Sequence, residues 1–339
     1  ITQANPQVQA TSRPPRPTAS SIRFVDVRPG EGALVWGSAG VLGGIVAGHV
    51  LLETARDALF LTKLPPSSLS LVYLGLAALG FLGARYDQWV SRALGRRSSL
   101  VLALMGAATG TMWFFLSDLG RVGAFGLYLW TGVVGTLLTV QFWLAAAQRF
   151  TPGQGRRLYG LIAAGGVVGA VIGGALGAAL TQYISVKCLL AAAAVLQLIT
   201  AWVVTEAPRP SETPPAKRVV RVRAELRTMM QSPYLKRIGL LVWVSVGTLL
   251  VVDYLFKVTM AERFSERELG IYLARSYAVM NALALVVQVF ITMQVLRRVG
   301  TIVTLTLLPL CLVLSGGAAA FFGTSLVFVL VAKGADGSF

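Results

Sequence analysis

Cysteine, histidine and acidic residues are scarce in this chain: two cysteines, one histidine and 14 Asp plus Glu among 339 residues. Cys188 and Cys311 fall in separate apolar stretches with no metal-ligand spacing, so small apolar packing accounts for them and neither a disulfide framework nor a metal site is expected. One histidine and no Ser-His-Asp grouping leave few tools for catalysis, so the chain is not read as an enzyme. No Gly-x-x-x-x-Gly-Lys-Ser/Thr loop occurs, which leaves ATP hydrolysis unsupported as an energy source, and no cofactor is indicated. Charged residues of either sign make up 13% of the chain against 55% apolar, a balance that excludes a soluble globular enzyme. A mean hydropathy of +0.70 excludes a disordered chain, and the 36 glycines follow no three-residue period, which excludes a collagen.

Long apolar runs are present instead. Ten stretches approach or exceed the ~20 residues that cross roughly 30 Å of hydrocarbon at 1.5 Å per residue. They lie near 33–56, 68–85, 98–117, 122–147, 158–182, 186–205, 236–260, 269–295, 301–322 and 324–339. The expected fold class is an all-α polytopic membrane protein. Pro14, Pro15 and Pro17 among polar residues make 1–30 a flexible tail and not a signal peptide. The last run stops mid-helix at Phe339 and no initiator methionine begins the chain, so it is expected to be incomplete at both ends.

A net charge of +16 raises nucleic acid as a partner, and the placement of the charges removes it. The tail and the loops after the second, fourth, sixth and eighth stretches hold 21 of the 30 Lys and Arg, the intervening loops 6, and the helices themselves 3. Positive-inside bias therefore explains the charge. It places the N-terminus and the 206–235 loop in the cytoplasm, with the lipid of a bacterial inner membrane as the partner.

The 206–235 interruption, with Pro208, Pro210, Pro214 and Pro215 and then the basic segment Lys217 to Arg227, divides the chain. The expected organisation is a first six-helix half at 31–205, a linker at 206–235 and a second, truncated half at 236–339, as in transporters built from parallel repeats. The first stretch ends in His49-x-x-x-Glu53-x-x-Arg56-Asp57 and the seventh in Asp253-x-x-x-Lys257, so each half opens with an acid and a base toward the same end. In a helix these groups share one face. A charge at the bilayer centre costs about 2.5–3.5 kcal/mol even on the lenient scale, so such groups face a bundle interior or an aqueous cavity and pair. Three readings stand: a polar site for a charged substrate, a structural ion pair holding helices in register, or interfacial charges on helices that end early. His49 reads as a packing group or hydrogen-bond partner of Glu53.

Two patterns bear on the fold. Gly83-x-x-x-Asp87-x-x-x-x-Arg92-x-x-Gly95-Arg96-Arg97, between the second and third stretches, resembles a stretched form of the Gly-x-x-x-Asp-Arg-x-Gly-Arg-Arg signature of the major facilitator superfamily. Asp87 could cap a helix and Arg92, Arg96 and Arg97 pair with it as a cytoplasmic latch, or the arginines are ordinary positive-inside charge. In the fifth stretch Gly165, Gly169, Gly173 and Gly177 repeat every fourth residue, a stripe that lets another helix approach backbone to backbone. Gly165-x-x-x-Gly169-Ala170-x-x-Gly173-Gly174 also looks like that superfamily's fifth-helix antiporter motif, with Ala170 where proline is usual.

A narrower resemblance rests on Leu52-Glu53-Thr54-Ala55-Arg56-Asp57-Ala58-Leu59-Phe60-Leu61, Gln141-Phe142-Trp143-Leu144-Ala145-Ala146-Ala147, Arg156-Arg157-Leu158-Tyr159-Gly160-Leu161-Ile162-Ala163-Ala164-Gly165-Gly166 and Val252-Asp253-Tyr254-Leu255-Phe256-Lys257. Over about 31–339 the chain resembles the nucleotide-exchange transporters of the ATP/ADP translocase family, found in plastids and intracellular bacteria, and their free-living bacterial relatives. The resemblance implies a major-facilitator-type bundle with about ten of twelve transmembrane helices present, nucleotide counter-exchange and alternating access. On the family's pattern Arg56 is the first-helix base, and Asp253 and Lys257 the seventh-helix pair. The chain departs from it in the fourth stretch, where the family's glutamate falls near Thr131, and the family's lysine past helix 10 would lie beyond Phe339.

A nucleotide carries several negative charges, so its carrier needs cations in the cavity: Arg56, Lys63, Lys257 and Arg275 are the candidates, with Glu53, Asp57 and Asp253 occupying them when the site is empty. Trp130, Trp143 and Tyr254 could stack on adenine or simply pack. The expected function is secondary transport of a small anionic metabolite, ATP or ADP first. The alternative is a non-transporting membrane anchor or sensor, fused to or associated with a soluble domain.

Overall fold

The computed structural model describes residues 27–206 and 230–287. Within them run eight long helices: α1 (Gly32–Lys63), α2 (Leu69–Leu94), α3 (Arg96–Leu116), α4 (Arg121–Arg149), α5 (Pro152–Leu180), α6 (Cys188–Glu206), α7 (Pro233–Arg263) and α8 (Glu266–Val286). All eight are long and apolar enough to cross a membrane. The stretches expected at 301–322 and 324–339, residues 1–26 of the tail and 207–229 of the linker lie outside the described residues.

The helix ends differ from expectation for identifiable reasons. α1 runs to Lys63 and not to 56, because nothing between Leu52 and Thr62 breaks a helix. It stops where Leu64, placed before Pro65, turns extended at φ −130° and ψ 143°. Its 32 residues run about 48 Å at 1.5 Å per residue, so Glu53, Arg56 and Asp57 sit inside the helix and not at its end. α5 begins at Pro152 and not at 158: the Thr151 hydroxyl accepts from the Gln154 backbone N–H, Gln154 Oε1 accepts from the Thr151 backbone N–H, and proline fills the first position. Arg156 and Arg157 are thus helical. α7 and α8 each start three residues early, behind Ser232 and Ser265.

Burial is inverted relative to a soluble protein. Leu74, Trp113 and Val122 stand exposed on outer faces, while Arg56, Asp57 and Lys257 are buried. α1 lies at the centre, packed on α4, α5, α6 and α8. The α5 glycines make the closest of these contacts. A Cβ on Gly165 would sit 2.5 Å from the Ala39 carbonyl oxygen, one on Gly169 2.6 Å from the Gly43 Cα, and one on Gly173 2.6 Å from the Ala47 carbonyl oxygen. Ala39, Gly43 and Ala47 repeat every fourth residue of α1, so two small-residue stripes meet. Gly177 faces Leu51 at ordinary contact, and Gly174 faces the Ala278 backbone of α8 at 2.8 Å.

The chain alternates direction, so one end of the bundle carries Glu31, Arg97, Arg149 and Arg157 and the opposite end Lys63, Leu119 and Lys187. At that opposite end Phe60, Leu69, Val72, Phe256, Met260 and Leu273 form an apolar cluster joining α1 and α2 to α7 and α8. The buried residues of α7 are Val252, Phe256, Lys257, Thr259 and Met260, all in its second half, whereas Trp243 nearer the basic end is 75% exposed.

Candidate functional site

Asp57 is the hub of a buried polar cluster seated beside that apolar layer. Arg56, its neighbour on α1, donates from Nε to Asp57 Oδ1 at 2.8 Å and from Nη2 to Asp57 Oδ2 and Glu53 Oε1, both at 3.2 Å. The Tyr277 hydroxyl of α8 donates to Asp57 Oδ2 at 2.5 Å. From α7, Lys257 Nζ lies 2.6 Å from Asp253 Oδ2 and 3.4 Å from Asp57 Oδ1, and donates to the Tyr128 hydroxyl of α4. The Tyr73 hydroxyl of α2 completes the ring at 2.8 Å from Asp253 Oδ2. The Arg56 guanidinium lies 4.1 Å over the Tyr128 ring, which places a cation on its electron-rich face.

Among the described residues, five helices therefore meet on five charges. An ammonium has three donors, and Lys257 finds three acceptors, so its burial is chemically satisfied. Glu53, Asp57 and Asp253 against Arg56 and Lys257 leave one negative charge in surplus if all are ionised. Glu53 is the least buried of the three carboxylates, 25% exposed against 0% for Asp57 and 13% for Asp253.

Two expected cations stand elsewhere. Lys63 closes α1 six residues past Asp57 and donates to the Leu119 carbonyl, as Lys187 does to Ser117 at 2.7 Å, so both lysines bind the α3–α4 loop at the opposite end. Arg275 is exposed on α8. It lies two residues from Tyr277 and hence about 200° around the helix from the face that meets Asp57. Trp130 and Trp143 make contacts within the bundle: Trp130 Nε1 donates to Thr111 at 3.2 Å, and Trp143 stacks edge-on against Tyr159. Tyr254 packs against the apolar layer. The ring of His49 lies against Gly135 of α4, and its Nδ1 has no hydrogen-bond partner among the described residues.

Sequence reasoning missed Tyr73, Tyr128 and Tyr277. The available signal was a phenol hydroxyl inside an apolar span, which needs a partner where water is absent. Thr131, where the translocase family has its glutamate, is buried one turn from Tyr128 and donates to its carbonyl at 2.9 Å.

At the basic end Gly95 takes φ +79°, which turns the chain from α2 into α3. Arg97 donates from Nε to Val204 O at 3.1 Å and from Nη2 to Thr205 O, capping the last carbonyls of α6. Arg92 is exposed and Arg96 half-buried, and the Asp87 side chain lies outside the described residues. A tie absent from the sequence reading stands beside them: Glu31 at the head of α1 accepts from Gln154 Nε2 at 3.1 Å and Arg157 Nη2 at 2.9 Å of α5.

No family model matches the sequence, and no curated protein matches it significantly. Solved structures do match the fold. The chain is similar to the xylose transporter XylE from E. coli in an inward-open conformation, at 14% identity and TM-score 0.55, over 90% of this chain and 80% of that one. It is similar to a D-xylose-proton symporter at 14% identity and TM-score 0.54, over 91% and 80%. It is also similar to a bacterial homolog of the human lysosomal transporter Spinster, inward-facing and unoccupied, at 15% identity and TM-score 0.55, over 92% and 74%. These likenesses establish a major-facilitator-type fold in a multi-pass membrane protein.

Proposed function

We propose that this chain is a secondary transporter working by alternating access, with the Asp57–Lys257 cluster as its polar centre. The observation that carries the reading is the meeting of buried charges from α1 and α7, the first helix of each proposed half, 31–205 and 236–339. Charges held this deep are costly and stand where binding or movement uses them. A substrate entering from the basic end would exchange these ion pairs for its own, so the gain on binding and the work of opening are linked.

The first substrate class is an anionic metabolite, with a nucleotide of the ATP/ADP type foremost, as the translocase resemblance implies. Arg56 supplies a guanidinium suited to phosphate, and Glu53, Asp57 and Asp253 hold Arg56 and Lys257 until the anion displaces them. The surplus carboxylate favours a second reading, a neutral polyhydroxylated solute carried with a proton, the activity named for one of the similar structures. Inner-membrane residence with the 206–235 loop in the cytoplasm follows from the charge bias.

Uptake into proteoliposomes separates the two. Labelled ATP or ADP that enters only preloaded vesicles supports exchange, and labelled xylose driven by an inward proton gradient supports symport. Neither, from folded protein, discards both substrates and leaves the fold untouched.

A further inference from the structure

At the basic end, away from the Asp57 cluster, α1, α3, α4 and α6 line an open cleft. Arg97 and Arg149 line it, and no carboxylate lines it among the described residues. Neither arginine makes an ion pair with a described residue. Arg97 spends Nε and Nη2 on the α6 carbonyls, while its Nη1 is buried without a partner among the described residues. Arg149 closes α4 and has no hydrogen-bond partner among the described residues. A guanidinium does not shed its proton, so two of them sharing a cleft repel unless an anion joins them.

The surroundings narrow the anion. Guanidinium groups present paired N–H donors that match the oxygens of a phosphate, and the Ser38 hydroxyl adds a further donor on the cleft wall. The apolar lining runs deeper into the bundle than the arginines do. Val41 is nearly one turn inward of Ser38, Leu100 nearly one turn inward of Arg97, and Phe142 two turns inward of Arg149. Charge thus sits at the depth of a lipid headgroup with an apolar wall beneath it, as in basic pockets between membrane helices that hold phospholipid headgroups.

We propose that this cleft is a binding site for a phosphate group, gripped by Arg97 and Arg149, and supplied by either an anionic phospholipid or soluble phosphate. The site rests on neither reading of the transported substrate, since it shares no residue with the Asp57 cluster.

The test uses the full chain purified in detergent. Native mass spectrometry reads retention of phosphatidylglycerol against phosphatidylcholine, and thermal unfolding in lipid-free detergent reads the response to inorganic phosphate. Arg149→Gln is the deciding variant, because Arg97→Gln also removes the cap on α6 and could cost folded protein. Arg121→Gln, an exposed arginine at the opposite end, is the control. Retention of phosphatidylglycerol that falls roughly tenfold in Arg149→Gln and not in the control assigns the site to lipid, the size expected for losing one charge-assisted contact. Stabilisation by inorganic phosphate that is lost in Arg149→Gln assigns it to a soluble anion. If Arg149→Gln changes neither readout in folded protein, or the control changes them equally, the site does not exist.

Discussion

Lys257 is the side chain whose removal asks most of this structure. It is 1% exposed and the cation nearest Asp253, so Lys257→Met alone removes the ammonium paired with Asp253, while Asp57 keeps Arg56. Breaking a buried pair from one side costs about 3–5 kcal/mol, which predicts a sharp fall in folded yield by size-exclusion chromatography. Asp253→Asn with Lys257→Met removes charge from both sides and is expected to restore most of that yield. Uptake by the double variant then decides the role of the pair: abolished uptake marks a substrate site, and wild-type uptake a structural pair. The sequence already placed Asp253 and Lys257 on one helical face. It did not reveal Tyr128, because a tyrosine in an apolar run looks like packing until a lysine 129 residues away is found against its hydroxyl.

Among the elements, α1 and α5 show how little room the packing leaves. Gly169→Ala puts a methyl against the Gly43 backbone, where no side chain can swing aside, so loss of folded protein or a destabilisation of about 1–3 kcal/mol is expected. Gly160→Ala on the same helix meets nothing within 4 Å and is expected to be neutral or slightly stabilising in the same thermal scan. The two helices are also tied at the basic end through Glu31. Its carboxyl is held below the ordinary carboxylate range by the Arg28 backbone N–H, then by Gln154 and Arg157. A lowered folded value means that the contribution is complete above the unfolded value near 4.3 and is lost as pH falls through the folded one. The stability gap between wild type and Glu31→Gln should therefore be constant at neutral pH and close in acid, and a gap that widens in acid would overturn the tie. The four-residue glycine period made this contact legible, since two small-residue stripes need only helical geometry to match. Glu31 was hidden because its partners lie over 120 residues away.

For the whole molecule, the bonds from α2 and α1 to α7 and α8 join the two proposed halves at the opposite end. On the proposed alternating-access cycle, opening that end breaks Tyr73–Asp253, Tyr277–Asp57, Lys257–Asp57 and Lys257–Tyr128. Tyr73→Phe with Tyr277→Phe deletes two of these without stranding a charge. In a background lacking Cys188 and Cys311, Leu61→Cys should then react faster with a membrane-impermeant maleimide than it does with both tyrosines present. Equal rates would show that these hydroxyls do not bear on closure. Sequence alone determined that the chain crosses a membrane repeatedly and where its charges concentrate, because apolar length and loop charge are additive properties of local sequence. The spacing of Glu53, Arg56 and Asp57 likewise needed only the pitch of a helix. Only the tertiary structure decided which charges work together. It drew Asp57 and Lys257 into one cluster and left Lys63 and Arg275 out, because direction around a helix and contact between distant helices are set by packing and not by residue type.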